Sequence, residues 1–369
     1  MQLDWVTLAD FRNHPAVEWR PDPIVNVLVG DNGAGKTSVL EAIAYLATLR
    51  SFRGSPDEAL VAHDADAAYV RGSVSRDVSS GDSSSTLIEV EVRRRGARRA
   101  QVNRQRLGRT ADLLGHVRIV TFLPEDLDLV KRGPAYRRDL LDDAAVQLWS
   151  AAYAERLEFE RALRQRNAFL KQGVHDPVTL SVWDERLAQA TGRLMVRRVR
   201  AVEAIGSHLQ ESYRDVAADA AAVALDYRST WCPDAGTERS AAGFASAMQA
   251  ALVAAARMDR DRRVTTVGPH RDEPTFLLND HDARHHASQG EQRTLALALR
   301  LATHRAIHDV TDTTPILLLD DVFSELDPTR GRALGHALPQ AQTFVTTADP
   351  SHVPVEGKSW KVRAGTVAP

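Results

Sequence analysis

Cysteine is all but absent from this 369-residue chain, with Cys232 standing alone. That excludes an internal disulfide and a zinc site built on paired cysteines, and it fits a reducing cytosol. Lysine is scarce too, five among 47 basic residues, and the excess of arginine beside abundant alanine reads as GC-rich coding. Net charge is −2, so no global field draws the chain to nucleic acid, and any such site must be a local patch. No apolar run reaches the ~20 residues that cross a bilayer. The start, Met1-Gln2-Leu3-Asp4-Trp5, has neither a basic n-region nor an apolar h-region. A cytoplasmic protein with no membrane partner is the expectation. Sustained heptads and internal repeats are missing, which argues against long coiled-coil arms and solenoids. What remains is a globular composition, 43% hydrophobic and 26% charged, with length for two or three domains.

One stretch organises the rest: Gly30-Asp31-Asn32-Gly33-Ala34-Gly35-Lys36-Thr37. Ile24, Val25, Val27, Leu28 and Val29 before it read as a strand; Leu40, Ile43, Ala44 and Leu46 after it read as a helix. A G-x-x-x-x-G-K-T run between strand and helix is a P-loop. Its glycines let backbone N–H groups converge on phosphate oxygens, and the helix start adds partial positive charge. Lys36 can reach the β- and γ-phosphates and Thr37 can ligate Mg²⁺. Residues 30–37, with Ser38 following, form the expected ATP site.

Strands are expected before the P-loop, with Phe11-Arg12-Asn13 leading into a turn at Asn13-His14-Pro15. Arg50-Ser51-Phe52-Arg53-Gly54 is a basic loop that either faces phosphate or is solvated. Ser79-Ser80-Gly81-Asp82-Ser83-Ser84-Ser85 reads as a hairpin tip. Arg93, Arg94, Arg95, Arg98 and Arg99 form the densest positive patch, a DNA contact or a solvated hairpin. Residues 136–149, 151–171, 180–206 and 244–258 show helical spacing, interrupted at Gly173, Asp176-Pro177 and the loop from Cys232. Residues 263–267 and 275–278 read as strands, 291–307 as a helix, and 316–319 and 343–347 as strands. The expected division is an α/β head from residues 1–125 and 260–369, interrupted by a helical insertion at 126–259.

Two further constellations belong with the P-loop. Pro315-Ile316-Leu317-Leu318-Leu319-Asp320-Asp321 is a buried strand ending in two acids. Beside a P-loop the first acid can hold Mg²⁺ through water, and the second can orient the attacking water. Ser324-Glu325-Leu326-Asp327 continues it as a polar loop. Ser288-Gln289-Gly290-Glu291-Gln292-Arg293 opens an amphipathic helix. Ser288 and Glu291 fit a capping box, and an exposed Ser-x-Gly at a helix start also suits a γ-phosphate.

The order of P-loop, insertion, S-x-G-x-Q, hhhhDD strand and S-x-L-D loop resembles the ATP-binding-cassette head. In that superfamily Ser288, Gln289, Gly290 and Gln292 would close over the P-loop of a second copy, with Ser324 and Asp327 in the adjoining D-loop. Phe11-Arg12-Asn13, Arg50–Arg53, Phe122-x-Pro124-Glu125-Asp126-Leu127, Arg137-Arg138-x-x-Leu141-Asp142, Gln165-Arg166-Asn167 and Gly268-Pro269-His270-Arg271-Asp272 narrow it: together they resemble the RecF family nearly end to end. The resemblance implies an ATP- and Mg²⁺-dependent DNA-binding protein of gap repair, with weak DNA-stimulated ATPase activity. Thr37 and Asp320 would hold the metal, Asp321 the water, and Lys36 the triphosphate. It implies an ATP-induced homodimer on single-stranded, gapped or junction DNA, acting with RecR and RecO to load RecA and support SOS induction.

The chain departs from that pattern at Glu291, at Glu273-Pro274, and in lacking a histidine at 343–349, where Thr346 or Thr347 is the candidate substitute. Glu125 stands near the place of a metal-facing Gln in related heads. Other ABC-type heads are the alternatives. Against a transporter subunit stand the distance from Lys36 to Ser288 and the missing histidine. Against a chromosome-organising or break-repair head stand the missing heptads and Cys-x-x-Cys hook.

Overall fold

The computed structural model describes residues 1–76, 84–173, 176–217, 221–232 and 239–369. The expected tip at 79–83 and the loop at 233–236 lie outside them. Two compact units emerge: residues 1–130, 208–221 and 288–369, and residues 131–207 and 222–287.

The first unit has two sheets. β1 (Gln2–Phe11), β2 (His14–Trp19), β4 (Ala67–Arg76), β5 (Ser84–Arg93), β6 (Arg99–Val102) and β7 (Gln105–Arg106) pair antiparallel in the order β2-β1-β4-β5-β6-β7. The second sheet uses β3 (Val25–Val29), β8 (Ile119–Phe122), β12 (Ile316–Asp320), β13 (Thr343–Thr347), β14 (Lys358–Arg363) and β15 (Thr366–Ala368), in the order β15-β14-β3-β13-β12-β8. All neighbours in it are parallel except β14–β15. Its central strands are apolar throughout, as sheets covered on both faces require. Register places Val27 opposite Val345 and Leu319 opposite Val345 on its other side. The two ends of the chain therefore build one sheet. Between the sheets runs α1 (Lys36–Thr48), which packs on strands of both and is buried from Ser38 to Ala47. A helix buried on every side needs apolar residues all round, and Val39, Leu40, Ala42, Ile43, Ala44, Leu46 and Ala47 supply them.

In the second unit α2 (Pro134–Leu148), α3 (Ala151–Gln172), the greater part of α4 (Pro177–Val216) and α5 (Ala241–Arg262) enclose Phe159, Leu187, Leu194, Phe244, Met248 and Leu252. A small antiparallel sheet, β11-β10-β9, accompanies them: β9 is Val223–Arg228, β10 Glu273–Leu278 and β11 His281–Asp282. By length and composition α5 is apolar enough to cross a membrane, which departs from the expectation that no such stretch exists. Its Phe244, Met248 and Leu252 belong to the unit's core.

The units differ from the expected division in two places. Residues 260–287 fall with the second unit because β10 pairs along its length with β9, Phe276 opposite Leu225. Residues 208–221 fall with the first. There α4 runs on past Gly206 with Leu209, Tyr213 and Val216 buried, and Arg305 reaches Ser212 and Asp215 while His208 meets Asp309. The expected strand at 263–267 is irregular instead. Its backbone is satisfied by side chains: Thr265 N–H donates to Asn167 and Thr266 N–H to Asp259, both at 2.8 Å. The strands β14 and β15 were not expected, although Trp360 and Val362 alternate inward along β14.

Two buried histidines give the fold an acid limit. Burial pushes His304 and His270 down to about 4 from an ordinary 6.5. Each is a neutral ring in the folded chain, while the unfolded chain takes up protons as pH drops below the ordinary value. Their contribution is therefore complete above about pH 6.5 and lost from there to about pH 4. The urea midpoint is expected to fall through that window, less steeply after His304→Gln; an unchanged slope in the variant would refute the assignment.

Candidate nucleotide site

The P-loop leaves β3 at the carboxyl edge of the second sheet, where ligands of open α/β sheets gather. Two of its positions require glycine. Gly33 has φ 82° and Gly35 φ 107°, and a Cβ on Gly35 would stand 2.6 Å from His14 Nε2. Gly35 caps α1 without any side-chain bond, so the first-turn N–H groups remain directed at an anion. Lys36 Nζ donates to the Gly30 carbonyl at 2.6 Å and the Asp31 carbonyl at 3.1 Å, lying over the loop that would wrap the phosphates.

β13 lies between β3 and β12, which carries Thr346 to the acids that end β12. The Thr346 hydroxyl donates to Asp320 Oδ1 at 2.7 Å and accepts from the Asp321 N–H at 2.9 Å. Thr37 Oγ1 donates to the same Asp320 oxygen at 2.9 Å. Burial pushes the Asp320 carboxyl up, opposed by these two hydroxyl bonds. A cation would restore its charge. Two oxygens 2.9 Å apart match one edge of an octahedron with ligands at about 2.1 Å, the geometry Mg²⁺ demands. The donor set therefore fits magnesium, held by Asp320 directly or through water. Asp321 adopts φ 51° and its carboxylate accepts from Ser324 Oγ at 2.6 Å. Thr346, one of the two threonines offered for the missing histidine, lines the cleft; Thr347 instead bonds Asp349.

The cleft has a volume of about 470 Å³ and takes in Arg12, Asn13, Lys36, Arg53, Asp321 and Thr346. Three cations face one carboxylate there, the balance a polyphosphate needs. Glu41, fully buried one turn into α1, organises this wall: both its oxygens receive Arg12 at 2.8 Å, and Ser51 Oγ also donates to it. Ser51 in turn accepts from the Arg53 N–H at 3.1 Å. Of the two basic-loop arginines, Arg53 thus reaches the cleft. His14 is buried beneath Gly35, one ring nitrogen 3.0 Å from the Gly35 carbonyl and the other 2.8 Å from the Gly365 carbonyl. Glu41 and His14 went unassigned in sequence. An acid in an otherwise apolar helix face was the one available signal for Glu41; for His14 there was none, since both its partners are backbone.

Ser288 caps α7 (Gln289–Thr311) in the expected capping box, accepting from the Glu291 N–H at 3.3 Å while its own N–H donates to Glu291 Oε2 at 2.7 Å. Glu291 is a capping residue. Ser288 and Gln289 are exposed and, like Gly290, do not line the Lys36 cleft. A Cβ on Gly290 would collide with the Arg330 guanidinium at 2.3 Å, so glycine is required for that approach. Gln292 is buried. Asp327 caps α8 (Pro328–Ala337) and pairs with Arg330. Glu125 is exposed, whereas its neighbour Asp126 is buried and paired with Arg300 of α7.

The basic hairpin is partly spent inside the protein. Arg94 donates to the carbonyls of Ala62, His63 and Ala65, and Arg98 to Tyr45 and Leu49. Arg93 and Arg99 both face Glu91. Arg95 is exposed at the tip.

A family model described as RecF/RecN/SMC N terminal domain matches residues 2–365. The DNA replication and repair protein RecF of Acidothermus cellulolyticus is 38% identical over 378 residues, 100% of this chain and 99% of that one. A solved structure of the recombination mediator protein RecF-ATP in the RecFOR pathway matches with TM-score 0.88 and 31% identity, over 99% of this chain and 96% of that one. An SMC head bound to the C-winged helix domain of ScpA matches with TM-score 0.55 and 15% identity, over 100% and 96%, a likeness of fold. The expected α/β architecture of an ABC-type ATPase head is borne out.

Proposed function

The chain belongs to the RecF family, and from that premise we propose that it is an ATP-dependent DNA-binding protein of recombinational gap repair. The carrying observation is the convergence of Lys36, Thr37, Asp320 and Asp321 on one electropositive cleft. In this reading the N–H groups of 30–38 and Lys36 hold the triphosphate. Thr37 and Asp320 hold Mg²⁺, which would neutralise charge on the phosphate oxygens. Asp321 orients water. The cleft is half of a site: Ser288, Gln289 and Gly290 of a second copy close it, with Ser324 and Asp327 alongside, so ATP acts as a dimerisation switch and hydrolysis is slow. The dimer binds single-stranded, gapped or junction DNA in the cytoplasm. With RecR and RecO it promotes RecA loading, replication restart and SOS induction; the relative above, described within a RecFOR pathway, supports that assignment.

The test is binding of gapped, single-stranded and duplex DNA with and without ATP across a salt series. Affinity should rise with ATP and fall with salt as phosphate contacts demand. Binding indifferent to ATP would refute the switch. Arg95→Ala with Arg99→Ala probes the hairpin without unpicking the bonds of Arg94 and Arg98; unchanged affinity would remove it from the DNA surface.

A further inference from the structure

The turn at 268–272 has no part in the nucleotide site, yet buried polar groups grip it from several sides. Arg198, 4% exposed, takes Asp142 with both nitrogens at 2.7 and 2.8 Å and donates to the Pro269 carbonyl at 2.7 Å. The Asp272 carboxylate accepts from Tyr227 Oη and Trp231 Nε1, both at 2.8 Å, and its carbonyl accepts from Arg138 at 2.6 Å. His270 Nε2 lies 3.1 Å from the Thr265 carbonyl. Since burial keeps that ring neutral, Nε2 carries its proton and donates. Gly268, at φ 120°, turns the chain where a Cβ would meet Met248 at 2.8 Å.

Burying ions costs several kcal/mol each before their attraction is counted, and apolar residues of the same volume often serve stability as well. What this network does secure is the backbone position of a five-residue turn. Among those five residues Gly268, Pro269 and Asp272 are buried and His270 is half-buried; Arg271 is exposed. Its side chain has no hydrogen bond or ion pair among the described residues. Beneath it Arg138 is held below its ordinary value by burial and by Arg198, which marks a local surplus of positive charge. The contrast with the basic hairpin is direct, since there the arginines face Glu91 or backbone carbonyls.

We propose that the 268–272 turn is a phosphate-binding element for nucleic acid, with Arg271 as the contacting cation and Arg138 reinforcing the potential behind it. A planar guanidinium matches two phosphate oxygens, and a cation on a fixed turn surrenders little conformational freedom on binding. Such a contact positions the duplex or strand and reads no sequence. The inference rests on the DNA-binding reading above and adds the second unit to its surface.

The full-length protein with ATP and a gapped DNA, followed by fluorescence anisotropy over a salt series, tests it. Losing one phosphate contact per protomer should lower the log–log salt slope by about one and weaken binding about eightfold near 0.1 M salt. Arg271→Ala should show both, Arg271→Lys should keep most of the slope, and both should retain wild-type thermal stability and ATP affinity. Wild-type affinity and slope in Arg271→Ala would overturn the proposal, as would loss of a protein partner with DNA binding intact. If the wild-type protein itself binds no DNA, the reading it rests on fails first.

Discussion

Arg166→Ala is expected to destabilise the second unit by about 3–5 kcal/mol, the range for breaking a buried ion pair from one side. Arg166 is fully buried, with Nε 2.6 Å from Asp184 and Nη1 2.7 Å from Asp259 and 2.8 Å from Thr265 Oγ1. Asp259 is also fully buried. Removing the guanidinium leaves that carboxylate in the core with only the Thr266 N–H and hydroxyl to receive. Arg166→Lys should fail to rescue, because one ammonium cannot span Asp184 and Asp259 with the planar fork's geometry. Urea unfolding reads the loss; a change below about 1 kcal/mol, the worth of an exposed pair, would show that the triad is not what holds α3, α4 and α5 together.

The same triad explains where reading the sequence stops. The P-loop, the Asp320-Asp321 strand end and the Ser288 cap were legible because each is a local pattern whose spacing carries its chemistry. Gln165-Arg166-Asn167 was visible as a motif, but its work is done on residues 259–266, which side chains of α3 hold in irregular form. A propensity reading makes that stretch a strand, since Val264, Thr265, Thr266 and Val267 are β-branched. Tertiary bonds override it. The wall of the cleft behaves likewise: Arg12, Glu41 and Ser51 come from three elements, and only the folded chain places them on one another. The five arginines at 93–99 erred the other way. Their density suggested a surface patch, whereas Arg94 and Arg98 serve as donors to carbonyls that loops leave unpaired.

Asp321→Asn should lower ATP hydrolysis by about 10²–10⁴, the usual worth of a positioned base, while leaving ATP affinity close to wild type. Asparagine keeps the shape of the side chain and tolerates the left-handed conformation, φ 51°, that Asp321 adopts. The Asp321 N–H still reaches Thr346, and the Thr37–Asp320 pair is untouched. What is lost is a negative oxygen able to orient water. ATP is then bound and not consumed, so the closed pair of chains should accumulate. Light scattering with ATP should report a dimer for the variant, more persistent than for the wild type. A monomer would mean that Ser288 and Gly290 do not complete the site of a second copy; wild-type turnover would remove Asp321 from the chemistry. The two failures are separable because one concerns assembly and the other the reacting water. Arg330 sharpens the first. Its guanidinium lies against Gly290 and pairs with Asp327, so the surface offered to a partner's phosphate is already positively charged before any second chain arrives.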